Sequence, residues 1–287
     1  MNFFLAALML GLGFVSLGLG IYISMRIFNI PDITTDGSYT LGGVVTAVML
    51  TQGFGVGISV ITSMLAGALA GSITGFIHTR LKINALLAGI LVMTALYSVN
   101  LTLMGRSNLP LINLPTVFNW VWFAEAESSK QLVFFIITAI LLCGIISLLL
   151  KTDFGLAMRA TGNSEPMIRA LGVNTDAMKI AGLALSNSLV ALSGCFIVQY
   201  QGFADINMGI GIVILGLGSV MIGETLTNAL NVQSIVLRLL GVMLGTIAFR
   251  LILAFVLSKG VNPNLLKLFT AAIVLVVVAL PNLKRKD

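Results

Sequence analysis

Charge is what this sequence has least of. Only 9% of its 287 residues are Asp, Glu, Lys or Arg, against about 25% in a soluble domain. With 58% hydrophobic residues and a mean hydropathy of +1.07, too little polar surface remains for a globule in water. Histidine is nearly missing, because His78 stands alone. The two cysteines, Cys143 and Cys195, both lie in apolar stretches and read as inert core residues. One histidine and two isolated cysteines exclude a metal centre and a disulfide framework. No GxxxxGK[ST] phosphate loop occurs, so ATP hydrolysis is not expected on this chain. No Ser/His/Asp or Cys/His arrangement marks a catalytic site, and no catalytic residue is expected. No polar stretch exceeds roughly thirty residues, which leaves no room for a soluble domain.

What the sequence has is long apolar runs. Uncharged runs lie at about 3–25, 39–51, 53–77, 83–105, 131–150, 180–204, 206–223, 235–257 and 264–281. A helix needs about 20 residues to cross the hydrocarbon, and five or six runs meet that length unaided. The fold class is therefore all-α, a polytopic transmembrane bundle of about eight to ten segments. Residues 39–51 and 206–223 are short and glycine-rich and are expected to be broken or re-entrant helices. The first run lacks a basic leader and reads as a span, not a removed signal. The chain reads as one transmembrane domain over 1–287, with halves at about 1–130 and 131–287. The net charge of +6 gathers in loops and ends. It suits an anionic lipid leaflet better than nucleic acid. Arg80 and Lys82, the basic residues of the 151–179 loop, and Lys284, Arg285 and Lys286 all face the cytoplasm if nine crossings begin outside. The 106–130 loop, with Glu125, Glu127, Trp120 and Trp122, then lies outside, where the tryptophans suit an interfacial belt.

Three constellations could carry function. In Pro31-Asp32-Ile33-Thr34-Thr35-Asp36-Gly37-Ser38, proline and glycine interrupt the helix, and Asp32, Thr34, Thr35, Asp36 and Ser38 set polar groups beside an apolar run. They can line a solute path, or Asp36 and Ser38 can cap the helix from Tyr39. Asp205 and Asn207 precede glycines 209, 211, 216 and 218, which permit close approach of a helix or of a solute. Asp205 would also suit an exposed loop. Asp32 and Asp205 are each followed by glycine eleven positions on, Gly43 and Gly216, a spacing consistent with an inverted repeat. The overlapping GxxxG steps of Gly67, Gly71 and Gly75 favour close helix packing and could form a subunit contact. Arg250, inside an apolar run, is expected to snorkel toward the membrane surface.

The third constellation is the basic loop 151–179. Glu165-Pro166 can open a short helix, Met167, Ile168, Ala170 and Leu171 give it an apolar face, and Gly172 ends it. A helix of about two turns is not stable alone. It would pack into a groove of another protein or lie on lipid.

This loop, with its Thr-x-x-Gly-x-Ala-x-Arg-Ala start and Glu-Pro-x-x-Ala-Leu-Gly-Val-Asn-Thr-Asp continuation, resembles that of permeases in the branched-chain amino-acid and monosaccharide ABC importer family. The glycine-rich segment 215–223 and the Ala279-Leu280-Pro281-Asn282-Leu283 tail are similar to the same family. The Pro31–Ser38 segment resembles a branch paired with lipoprotein binding proteins, some suspected to carry aromatic amino acids. The resemblance implies a permease of the bacterial cytoplasmic membrane, itself not an enzyme, that moves a small polar solute, first of all an amino acid, by alternating access. It implies a second permease copy, two cytoplasmic ATPase subunits holding ATP and Mg²⁺, and an extracytoplasmic solute-binding protein. Glu165, Pro166, Met167, Ala170, Leu171 and Gly172 would then couple ATPase motion to the spans. Residues 33–37, Ile-Thr-Thr-Asp-Gly, depart from the Asn-Phe-Ala-His-Gly-like segment usual in branched-chain permeases. A nucleoside or sugar is the alternative solute, and an ion-coupled secondary transporter using Asp32, Asp36 or Asp205 is the alternative class.

Overall fold

A computed structural model describes residues 3–121, 126–230, 234–262 and 265–283, with the side chains of 280–283 left aside. Apolar runs become helices almost one for one, because in lipid only intra-helical hydrogen bonds can satisfy the backbone. The first span, Phe3–Ile27, comprises α1 (Phe3–Gly13), α2 (Val15–Ile21) and a π-helical turn, Tyr22–Ile27. It is followed by α3 (Thr34–Thr51), α4 (Val56–Arg80) and α5 (Ala85–Met104). A short strand β1 (Asn108–Pro110) and a 3₁₀ turn (Val117–Trp120) lead to α6 (Glu127–Lys151), α7 (Asp153–Asn163) and α8 (Glu165–Ala170). The chain ends with α9 (Thr175–Gln201), β2 (Phe203–Asp205), α10 (Ile212–Ala229), α11 (Ile235–Ser258) and α12 (Leu266–Leu283). Seven of these helical segments are long and apolar enough to cross a membrane.

The bundle has two ends. At one, β1 and β2 pair antiparallel, with Asn108 opposite Asp205 and Pro110 opposite Phe203. At the other lie α7 and α8. We call these the hairpin end and the loop end. The core is built around the first span and α9, which run antiparallel. Gly13 meets Ile197 and Phe135, while Gly20 meets the Ser186 carbonyl. Hydroxyls fix this pairing: Ser16 donates to the Leu189 carbonyl (2.6 Å), Ser186 to the Gly20 carbonyl (2.7 Å) and Ser193 to the Gly13 carbonyl (2.9 Å). Buried hydroxyls without such partners would be costly in an apolar interior.

The overlapping glycines of α4 pack within the chain, which corrects the idea of a subunit contact. A Cβ on Gly67 would strike Asn187 and Ala191, one on Gly71 the Leu183 carbonyl, and one on Gly75 Ile180, all on α9. Arg250 does not snorkel. Its guanidinium lies 4.1 Å from the Phe14 ring centroid, and Phe14 stacks on buried Tyr39 (6.0 Å, 23°). The aromatic face substitutes for water as partner of the cation.

Of the two short glycine-rich runs, 39–51 lies within one continuous helix, whereas 206–223 is broken, with residues 206–211 in turns before its helix starts. α3 and α10 are each continuous over 18 residues. Both begin inside the bundle. The first span ends at Asn29, which takes φ +54° in the left-handed region. The chain then rises without helix, and Asp32 reaches Asn187 at the midpoint of α9, where α3 starts and runs toward the hairpin end. From the hairpin, residues 206–211 descend in turns until Gly211, at φ +84°, opens α10 toward the loop end. The two helices thus run in opposite directions from facing N-termini. The aspartate spacing did not mark equivalent positions: Asp32 stands two residues before α3, and Asp205 seven before α10. Among the described residues, nine segments alternate between the two ends. Trp122, Glu125, Lys284, Arg285 and Lys286 fall outside the described residues. Trp120 lies exposed near the hairpin end, and Glu127 is exposed in the first turn of α6.

Candidate solute path and coupling surface

Asp36, in the first turn of α3, is where the two facing helices touch. Its Oδ2 accepts from the Gly211 N–H and its Oδ1 from the Val213 N–H, both at 2.9 Å. A carboxylate on a helix N-terminus satisfies orphan donors and meets the positive end of the helix dipole. Gly209 permits the approach, since a Cβ there would overlap the Asp36 carbonyl and the Thr40 hydroxyl. Beside this joint lies a narrow recess of about 30 Å³ lined by Asp36, Gly37, Thr40, Met93, Tyr97, Asn100, Ile206, Gly209 and Ile210. Asn100 is buried, and its Nδ2 donates to the Gly37 carbonyl at 3.4 Å. That contact fixes the amide orientation, because only the nitrogen can donate. The Asn100 Oδ1 is left as a buried acceptor without a partner.

The other path candidates lie elsewhere. Asp32 is fully buried; its Oδ1 accepts from the Thr34 N–H (2.9 Å) and its Oδ2 from Asn187 Nδ2 (2.7 Å). The Thr34 and Thr74 hydroxyls are hydrogen-bonded to each other (2.7 Å), and Thr35 donates to the Asp32 carbonyl (3.1 Å). These groups start α3 and tie it to α4 and α9. Ser38 is buried with its hydroxyl unpaired among the described residues, and it does not line the recess. Asp205 and Asn207 sit at the hairpin end, where the Asp205 carboxylate accepts from the Asn207 N–H (2.8 Å) in a local turn. Of the seven path candidates, only Asp36 borders the recess.

At the loop end, α7 begins at Thr152, whose Oγ1 accepts from the Gly155 N–H (3.3 Å). α8 follows with Pro166 in its first turn, where the missing N–H costs nothing. Gly172 closes it at φ +87°, donating to the Arg169 carbonyl (3.1 Å). The expected apolar face is divided. Ile168 is buried, whereas Met167 and Leu171 are 63% and 70% exposed, and Ala170 is exposed with them. Glu165 faces inward instead of toward a partner. Its Oε2 accepts from Lys179 Nζ (2.6 Å) and its Oε1 from Arg169 (2.9 Å) and Thr175 (3.2 Å). Arg169 also bonds Asp176 at 3.1 Å. The Lys179 hydrogen bond in particular holds the Glu165 carboxyl below the usual range. Glu165 therefore anchors α8 on the first turns of α9, while Met167, Ala170 and Leu171 face outward.

A multi-pass helical bundle with a part-polar recess inside it and a small apolar knob at one end is the form of a membrane permease. Comparison with known proteins makes this specific: residues 3–279 match the family model for the permease component of branched-chain amino acid transport systems, and the chain belongs to that family. A tyrosine transport system permease protein of Clostridioides difficile (strain R20291) is 37% identical over 93% of this chain and 87% of its own. An uncharacterized protein of Rickettsia prowazekii (strain Madrid E) is 35% identical over the full length of both. The autoinducer 2 import system permease protein of Yersinia enterocolitica is 26% identical over 73% of this chain and 57% of its own. A solved structure described as an inward-facing conformation of a metal-chelate type ABC transporter has a TM-score of 0.52 at 17% identity. It covers 98% of this chain and 85% of that one, and shows likeness of fold. The chain is thus a multi-pass protein of the cytoplasmic membrane and a transporter permease component, not itself an enzyme.

Proposed function

We propose that this chain is the permease subunit of an ABC importer for an amino acid, with an aromatic amino acid as first choice. The observation that carries the reading is the recess between α3, α5 and the descending 206–211 segment. Its polar lining offers acceptors: the Asp36 carboxylate and the unpaired Asn100 Oδ1 suit an ammonium group. Met93 and Tyr97 offer an apolar and aromatic wall on α5 for the side chain. The solute would pass between α3 and α10 as the Asp36 joint opens and closes. Similarity to a tyrosine permease supports an aromatic side chain.

Transport would be driven by ATP, with Mg²⁺, on two separate cytoplasmic ATPase subunits. Solute would be delivered to the hairpin end by an extracytoplasmic binding protein, and a second permease copy would complete the path. Met167, Ala170 and Leu171 would seat in a groove of the ATPase, and the Glu165–Lys179 pair would pass its motion into α9. The test is uptake of labelled tyrosine by the reconstituted complex, with co-purification of the ATPase on the tagged permease. ATP-dependent uptake, lost in Met167→Asp/Leu171→Asp along with ATPase binding, is the expected result. Uptake driven by an ion gradient without any ATPase would overturn it.

A further inference from the structure

A second cavity lies at the loop end, away from the recess and from α8. It has a volume of about 340 Å³ and is lined by Tyr22, Arg26, Asn29, Arg159, Asn163 and Arg238, with Ile27 and Gly162 behind them. The three arginines come from three places: the end of the first span, α7, and the first turn of α11. Arg26 is bonded to Glu224, and Arg238 takes part in an interaction of its own. Arg159 differs: its Nε is buried and has no hydrogen-bond partner. Arg238, Glu224, Arg26 and Arg159 all act electrostatically on the Tyr22 hydroxyl, so one small volume holds three cations and one anion. The positive end of α11 adds to the excess.

Like charges gathered around a cavity repel, and the buried Arg159 Nε, left without a partner, is costly. An oxyanion placed among them would relieve both. The cavity lies where the first span and α11 reach the loop end, the depth at which lipid headgroups lie, and basic pockets between spans at that depth suit anionic headgroups. No residue of α8 lines it, which separates it from the surface offered to the ATPase.

We propose that this arginine cavity binds the phosphodiester of an anionic phospholipid from the leaflet at the loop end. Arg159 Nε is its nearest unspent donor, Arg26 and Arg238 supply charge, and Asn29 and Asn163 add amide donors. The bound lipid fastens the first span to α7 and α11. A guanidinium can grip the two non-bridging oxygens of a phosphodiester at once.

The experiment compares thermal unfolding of the purified permease in micelles doped with phosphatidylglycerol, with phosphatidylcholine, or with phosphatidylcholine plus inorganic phosphate. Phosphatidylglycerol is expected to raise the midpoint by several degrees and to survive in native mass spectra as a bound lipid. Arg159→Gln removes that shift, whereas Arg159→Lys keeps part of it. A variant that does not depend on losing a group covers the case in which Arg159→Gln fails to fold. Asn163→Asp supplies an internal anion, raising the midpoint in phosphatidylcholine and abolishing the extra effect of phosphatidylglycerol. Equal shifts from both lipids, or a shift that survives Arg159→Gln and Asn163→Asp, would overturn the proposal. Full reproduction by inorganic phosphate would give the site to a soluble oxyanion. Loss of the lipid effect when the ATPase is bound would give it to an acidic side chain of that partner.

Discussion

Asp32 and Asp36 stand four residues apart and have opposite tasks. Asp32 holds α3 to α9 through Asn187 and its own Thr34 N–H, and it faces no cavity. Asp36 reaches across to α10 and borders the recess. The substitutions should separate accordingly. Asn187→Leu takes the donor from a buried carboxylate oxygen and should cost about 1–3 kcal/mol, read as a lower thermal midpoint of the purified protein. Asp36→Asn sets an amide N–H₂ against a backbone N–H. It should lower uptake by about an order of magnitude, more than the modest drop in thermal midpoint from one lost N–H contact explains, while the complex still assembles. If uptake falls only in step with melting in Asp36→Asn, the residue is a structural cap alone. The sequence announced the aspartates because charge beside an apolar run is rare. It could not announce Tyr97 or Asn100, which lie inside an unremarkable apolar helix and acquire meaning only when α5 packs against Gly37. Asp205 and Asn207 misled for a related reason: a polar pair next to glycines reads alike whether it lines a path or, as here, closes a turn.

At the scale of elements, long uncharged runs told where α4, α5, α6, α9 and α11 lie, and Pro166 with Gly172 told where α8 starts and stops. The runs 39–51 and 206–223 are short because a helix that begins part-way across the bundle needs fewer apolar residues than a lipid-facing one. α3 is polar at its start because Asp32, Thr34 and Thr35 find partners inside the protein. The inward turn of Glu165 was hidden, since Lys179 lies 14 residues away on another helix. That pairing predicts a pH dependence. Folding lowers the Glu165 pKa, so its contribution is fully present above the ordinary glutamate range and is lost as pH falls through the lowered value. Protection of α8 amides from hydrogen exchange should therefore stay constant near neutrality and decline below about pH 4. In Glu165→Gln the protection should be weaker throughout and lack that acid limb. Constant protection of the native protein down to strongly acid pH would contradict the anchoring role. The α4–α9 seam gives a sharper test. Gly71→Val drives a side chain into the Leu183 carbonyl, so the protein should fail to accumulate in the membrane, whereas Gly144→Val, where a Cβ meets nothing, should leave it unchanged. Equal accumulation of the two would show that the seam is looser than drawn.

For the whole molecule, alternation of segments puts the hairpin and the α7–α8 loop on opposite sides of the membrane. By the positive-inside rule, the basic residues Arg80, Lys82, Lys151 and Lys179 at the loop end predict that this end faces the cytoplasm. Cysteines placed at Asn207 and at Ser164 should react with a membrane-impermeant maleimide from outside and from inside, respectively. Labelling of both from one side would break the nine-segment path. One further consequence concerns the order in which the chain is made. The first span leaves the ribosome well before α9, and its hydroxyl and carbonyl partners, Ser186, Leu189 and Ser193, lie in that helix more than 150 residues later in the sequence. At about 5–20 residues per second, that helix arrives on the order of ten seconds or more afterwards. Throughout that interval the span that finishes as the axle of the protein is a lone helix in lipid, with Ser16 and the glycine notches at positions 13 and 20 facing nothing that fits them. Synthesis and burial therefore run in different orders, and a chain truncated before α9 should be the species that membrane proteases and insertion chaperones recognise.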